Sequence, residues 1–105
     1  MTAIQTEIEF ELPVGFVDSA GTLHKSGTMR RATAADEILP MEDPRVQHNQ
    51  AYMIVILLAR VVSRLGSLHA IDTHTIESLF VEDFEFLQAQ YNELNYPEMA
   101  APEGE

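Results

Sequence analysis

The sequence contains no cysteine and no tryptophan, and only 6 of its 105 residues are Lys or Arg. Without cysteine there is no disulfide staple, no thiolate nucleophile and no Cys-ligated zinc, so a packed core has to supply the stability. The few basic residues stand against 17 Asp and Glu, leaving a formal charge of -11. Such a surface repels phosphate backbones and anionic lipid, which excludes a general nucleic-acid or membrane-surface binder. Long apolar runs are missing as well. The longest, residues 51–59, is well short of the ~20 residues a membrane span needs, and Arg60 ends it. Residues 1–10 are acidic with no basic leader region, unlike a secretory signal, so a soluble cytoplasmic protein is the expectation.

What is present reads as one small globular domain: 46% of the residues are apolar and 22% charged. Residues 5–10 alternate, with Ile8 and Phe10 on one side and Glu7 and Glu9 on the other, the period of a strand with one wet face. Pro13 cannot donate to a ladder and implies an edge or a bulge. Asp18, Ser19, Ala20 and Gly21 have turn chemistry. A β-hairpin over residues 5–31, irregular at Pro13 and Gly27, is therefore predicted.

After Thr33 the period changes to helical. Thr33 caps a short helix with Asp36 and Glu37 in its first turn, and Pro40 stops it. Asp43 and Pro44 are suited to the cap and first position of the next helix, which is expected to run to Leu65 with Gly66 just beyond its end. Residues 51–62 are apolar except Arg60, so this segment must be covered on most sides. A further helix restarts at Asp72 or Thr73, and the spacing of Phe84, Leu87, Tyr91 and Leu94 marks another apolar stripe; residues 73–95 read as one bent helix or as two. The predicted fold is thus α+β, an irregular N-terminal hairpin packed on three to four helices around a central buried one. Residues 1–97 form the domain and 98–105 a flexible acidic tail.

Few residues suggest chemistry. His69, Asp72 and His74 are the nearest approach to a metal cluster, but their spacing fits no zinc template, and Asp72 reads better as a helix cap beside wet histidines. Glu82, Asp83 and Glu85 read as a solvated first-turn cluster rather than an acid–base pair. Neither Ser63 nor Ser67 has a histidine beside it. The basic doublet Arg30-Arg31 reads as a solvated strand end, with a specific contact to Asp36 as the alternative. No cofactor is implied, and an enzyme, at most a small metal-dependent one, is the weaker class. Phe84 and Phe86 cannot share one face two positions apart on a helix, which places Val81 or Phe86, together with Tyr96, on a second apolar surface. Val81, Phe86 and Tyr96 are accordingly the candidate protein-binding residues, and self-association is one way to cover them. Residues 66–105 carry nine acidic side chains and no Lys or Arg, so an electrostatically steered partner is expected to be basic.

The segments LPVGFVDSAGTLHKSGTMRRATAADEI, DPR, AYMIVILLARVVSRLGSL and IESLFVEDFEFLQAQYNELN, spanning Phe10 to Asn95, together resemble the small tail-assembly proteins of contractile-tailed phages. The resemblance is to the Mu-like tail assembly chaperone group and to related small proteins of phage-tail-like contractile injection systems. Its most specific pieces are Leu12-Pro13 to Gly15 with Asp18 and Gly21-Thr22, Met29-Arg30 with residues 34–38, residues 57–61 with Arg64-Leu65-Gly66, and Asp83, Leu87, Tyr91 and Asn95. It implies a non-enzymatic assembly role: a chaperone that keeps the helical tape-measure protein soluble until tube subunits polymerise around it, in the cytoplasm of the producing bacterial cell. The alternative it leaves open is a baseplate or tube component retained in the particle, with other tail or baseplate proteins as partners.

Overall fold

The computed structural model describes residues 4–97, so the predicted acidic tail, 98–105, lies outside the described residues. Strands β1 (Glu7–Val17) and β2 (Leu23–Arg30) form the expected antiparallel hairpin. Phe10 and Leu12 are buried while Glu7, Glu9 and Glu11 are exposed, as the alternation requires. The register breaks between Glu11 and Phe16, where residues 12 to 15 stand opposite Lys25 alone. This bulge contains Pro13, and it ends at Gly15 with φ of 114°. Any Cβ on Gly15 would also come within 2.7 Å of Leu23 Cδ1, so both dihedral and space demand glycine there. At the hairpin tip Asp18 Oδ1 accepts from the N–H groups of Ala20 and Thr22, each at 2.9 Å. Gly21 completes the turn at φ of 87°.

The hairpin ladder does not break at Gly27, where an irregularity was expected. Gly27 keeps its β1 partner, Phe10, but a Cβ there would lie 2.4 Å from the Phe10 ring and 2.6 Å from the Arg64 carbonyl. The glycine allows close approach, and the ladder shift falls on its other side, between Thr28 and Met29 in the pairing with a third strand.

That third strand corrects the long helix predicted from Asp43 to Leu65. Helix α1 (Ala34–Ile38) passes into a 3-10 turn (Leu39–Glu42), and α2 (Pro44–His48) begins at the predicted Asp43 cap, whose side chain accepts from Arg45 N–H. The helix then breaks at Asn49, which adopts extended dihedrals and caps a second 3-10 turn (Gln50–Tyr52) by accepting from Ala51 N–H. Helix α3 (Met53–Val61) is the central apolar one, and it stops four residues early because β3 (Val62–Leu65) leaves it to pair with β2. Two physical preferences favour the switch. Val61, Val62 and Ser63 are weak helix formers, and β2 would otherwise keep an open edge beside the core. Val62 and Leu65 are buried by the strand and Ser63 Oγ donates to the Thr28 carbonyl. Gly66, at φ of 60°, therefore follows a strand rather than capping a helix. Arg64 lies in that strand, not at a helix end.

Helices α4 (Thr73–Glu77) and α5 (Val81–Asn95) are separate, divided by residues 78–80. Asp72 caps α4 by accepting from Thr75 N–H, and Tyr96 closes α5. The sheet order is β1-β2-β3, with α3 touching α1, α4 and α5 and with α5 packed along β1. The core between them holds Phe10, Leu12, Met29, Leu57, Leu58, Val61, Val62, Leu65, Ile76, Leu79, Leu87, Tyr91 and Leu94. The other face of the sheet is polar, with Glu7, Glu9, Glu11, Ser26 and Arg64. The α+β architecture with a central buried helix is as read, with a third strand added and, among the described residues, five α-helices and two 3-10 turns in place of the expected three to four helices, because the long helix divides at Asn49.

Candidate functional site

The ionisable groups in the interior are the first place to seek chemistry, and each is engaged by the protein itself. Asp36, 1% exposed, accepts a two-pronged contact from Arg30 at 2.7 and 2.9 Å and a third bond from Arg60 Nε at 2.9 Å. Thr33 N–H adds a fourth at 2.8 Å. The Arg30 guanidinium, more than the other donors, holds the Asp36 carboxyl far below the usual carboxylate range even though burial opposes it. Arg30 is thus committed to a specific contact, not a solvated strand end, while Arg31 Nε donates to the Gln5 carbonyl.

Asp83 corrects the solvated cluster predicted at the start of α5. It is fully buried, and its two oxygens accept from Val14 N–H at 2.8 Å and Gly15 N–H at 2.9 Å. Those N–H groups are the ones the bulge removes from the ladder, so a carboxylate from 68 residues away supplies the missing acceptors. Glu82 and Glu85 remain exposed, as expected of a first turn. At the other end of α5, Asn95 Oδ1 accepts from Ala32 N–H at 2.9 Å, and the Tyr91 and Tyr96 hydroxyls both donate to Glu37. These phenols, Tyr91 first, keep the Glu37 carboxyl below its ordinary value, and burial with the neighbouring carboxylate pushes the Tyr91 hydroxyl up.

His24 is buried as well. Its Nε2 meets Asp18 Oδ2 at 2.7 Å, its ring stacks on Phe16, and a Cβ on Gly66 would collide with it. The hydrogen bond to His24, more than the turn N–H groups, lowers the Asp18 carboxyl. Asp72 spends its carboxylate on Thr75 N–H and Oγ1, and among the described residues no three His, Asp or Glu side chains converge as a metal-binding group. No buried side-chain nitrogen or oxygen among the described residues lacks a hydrogen-bond partner.

The apolar surface is where unspent capacity lies. Val81 is 68% exposed on the first turn of α5 and continues from exposed Phe80. Phe86 is half-buried, its ring edge-on to Phe10 with centroids 6.3 Å apart. Tyr96 is 40% exposed, with its hydroxyl on Glu37. Fifteen helical residues separate the ends of α5 by about 22 Å, so Val81 and Tyr96 do not form one patch. A different set is contiguous in sequence: Ile38, Leu39 and Met41, each more than half exposed where α1 meets its 3-10 turn. Met41 also borders a groove of about 430 Å³ lined by Val46, Gln47, Gln50 and Met53. The sequence reading ends the first helix at Pro40 and starts the next at Asp43, and so passes over this corner. The signal was the run Ile38-Leu39-Pro40-Met41, four apolar residues in a stretch too short and irregular to bury them all.

No protein-family model, no curated protein and no solved structure matches the chain. Among the described residues, no helix is long and apolar enough to cross a membrane.

Proposed function

We propose that this protein is a non-enzymatic assembly factor of a phage tail or contractile injection system, acting in the cytoplasm of the producing bacterial cell as a chaperone for the helical tape-measure protein. The observation that carries the reading is the apolar corner: Ile38, Leu39 and Met41 exposed together beside the Val46–Met53 groove, on a chain of charge -11. An amphipathic helix buries its apolar stripe in a groove of this kind, and the net charge of the small partner keeps the complex dispersed. The buried carboxylates and histidine support a binding role over an enzymatic one, because each faces a hydrogen-bond partner within the protein rather than an open cavity. The residues behind the family resemblance agree in kind. Gly15, Asp18, Arg30, Asp83, Tyr91 and Asn95 hold the fold, as befits a scaffold that presents a surface.

Coexpression with the long tape-measure protein tests the proposal. The long protein is expected to be soluble with this chain, to precipitate without it, and to precipitate again with Leu39→Asp and Met41→Asp combined; Val81→Asp, Phe86→Ala and Tyr96→Ala compare the surfaces chosen from sequence. Both corner side chains are exposed, so the double variant should fold. A tape-measure protein equally soluble in all cases would defeat the chaperone reading, and stoichiometric recovery of this chain in purified particles would replace it with a retained component.

A further inference from the structure

The hydrogen-bond parity of the sheet leaves one strand edge with a defined chemical preference. Arg31 N–H donates to the Thr6 carbonyl and Gly66 N–H donates to the Ser26 carbonyl, both at 2.6 Å. In the register that pairs Glu7 with Arg30, Glu9 with Thr28 and Glu11 with Ser26, the first of these bonds makes Thr6/Arg31, Ile8/Met29 and Phe10/Gly27 the hydrogen-bonded pairs. The second bond agrees, since Ser26 faces β3. The backbone groups of Glu7, Glu9 and Glu11 therefore point away from β2, and β1 is the outer strand of the sheet. Further along the same strand Asp83 satisfies Val14 and Gly15, but among the described residues no carboxylate or backbone group does the same for Glu7, Glu9 or Glu11.

We propose that residues 7–11 of β1 take up an extended segment of a partner protein as a fourth strand, one with Lys or Arg at every second position and apolar residues between. An open edge is a template for strand addition, with main-chain bonds giving affinity and alternate side chains giving choice. The three Glu side chains are exposed on the polar face, and among the described residues none is in an ion pair. They repeat at about 6.7 Å, the two-residue rise of any strand laid beside them. Basic residues at alternate positions meet carboxylates one for one, and the intervening side chains fall on the side of Ile8 and Phe10, where the core begins. A second copy of this chain is disfavoured at the same edge, because it would set carboxylates opposite carboxylates in either direction. This interface involves none of the apolar-corner residues and does not rest on the chaperone reading.

The test uses the full chain, labelled with nitrogen-15, and three synthetic peptides: alternating Lys and Val, alternating Glu and Val, and the first peptide's composition with its lysines in one block. The alternating Lys–Val peptide is expected to shift the amides of Glu7, Glu9 and Glu11 and slow their hydrogen exchange, while the other two do not. Glu9→Pro removes an outward donor and leaves the β1–β2 ladder intact, so it should fold and weaken binding by about ten-fold or more, as the loss of an edge bond and its neighbours predicts. Glu7→Lys, Glu9→Lys and Glu11→Lys together should transfer the preference to the Glu–Val peptide. Equal binding of the blocked peptide, shifts located elsewhere, or a folded Glu9→Pro protein with unchanged affinity would each overturn the proposal.

Discussion

Replacing Asp83 by alanine should be among the most damaging single changes at any polar position of this chain. The carboxylate accepts from Val14 N–H at 2.8 Å and Gly15 N–H at 2.9 Å. Among the described residues neither donor has another partner, because the bulge has taken both out of the ladder. An abandoned buried N–H costs about 1–3 kcal/mol, toward the top of that range when its partner was charged. Val14 is 38% exposed and its N–H can regain water, whereas Gly15 is buried, so the two together should cost about 2–4 kcal/mol. Small domains commonly have only about 5–15 kcal/mol in all. Asp83→Asn keeps one acceptor but turns an amide donor toward the second N–H, and should lose about 2 kcal/mol. Glu82→Ala, one residue away and exposed, should stay within about 0.5 kcal/mol. Urea unfolding gives the comparison directly, as a drop in midpoint at constant m-value. Hydrogen exchange at Val14 and Gly15 should accelerate in the Asp83 variants alone. If Asp83→Ala and Glu82→Ala unfold at the same urea concentration, the carboxylate is not what holds the bulge.

Asp36 supplies a pH prediction. Its folded carboxyl is held below the ordinary value of about 4, so the stabilisation is complete above that value and drains away as pH falls toward the folded one. Thermal scans from pH 5 down to pH 2 should therefore show a shallower loss of stability in Asp36→Asn than in the parent, and parallel curves would count against the pairing. At neutral pH the same substitution should cost about 2–3 kcal/mol, less than a fully buried pair because Arg30 and Arg60 keep 39% and 35% of their side chains exposed. Gly21→Val meets no neighbour and should lose only the dihedral cost, about 1–2 kcal/mol, whereas Gly15→Val adds a collision with Leu23 and Lys25 and should lose more in the same melting experiment. Sedimentation equilibrium should show concentration-dependent self-association that strengthens with salt, as screening weakens the repulsion between chains of charge -11, and that Leu39→Asp suppresses; a strict monomer at every salt would leave the apolar corner without that role.

The parts of the fold that could be read in advance are those whose signal is local. Alternation around Ile8 and Phe10, the Asp18–Gly21 turn and the Asp43-Pro44 start each need only a few neighbouring residues to be recognised, and each is where it was expected. The end of α3 has no such signal. Val62, Ser63, Arg64 and Leu65 continue an apolar helical pattern without a breaker, and four residues are too few for period two to stand out against period 3.6. What makes them a strand is the vacant side of β2, a partner more than thirty residues earlier in the chain. Asn49 breaks the helix with ordinary turn chemistry, directly before the apolar run that makes residues 43–65 look continuous.

Asp83 shows why a buried charge escapes a reading based on pattern. Its neighbours Glu82 and Glu85 face water, and nothing in residues 81–85 distinguishes the middle carboxylate from the outer two except its position four residues before Leu87 on the buried stripe. Asp83, Leu87, Tyr91 and Leu94 form one continuous buried line, so the helical period that located the stripe also placed Asp83 on it. The polar identity of the residue outweighed its phase. A carboxylate in phase with an apolar stripe requires donors that have lost their own partners, and the bulge after Glu11, announced by Pro13 and Gly15, is the place in this chain that creates them. Read together, the two anomalies identify each other: an acidic residue where the period asks for an apolar one, and a strand interruption with two free N–H groups. The same logic applies to Asp36, which is buried because Arg30 approaches it from the end of β2, six residues earlier, and Arg60 from α3, 24 residues later. Polar residues of this kind fix how elements dock, so their contribution is to specificity of architecture, and what is left to meet a partner is the apolar side chains the core did not absorb and the outward-facing Glu7, Glu9 and Glu11 of β1.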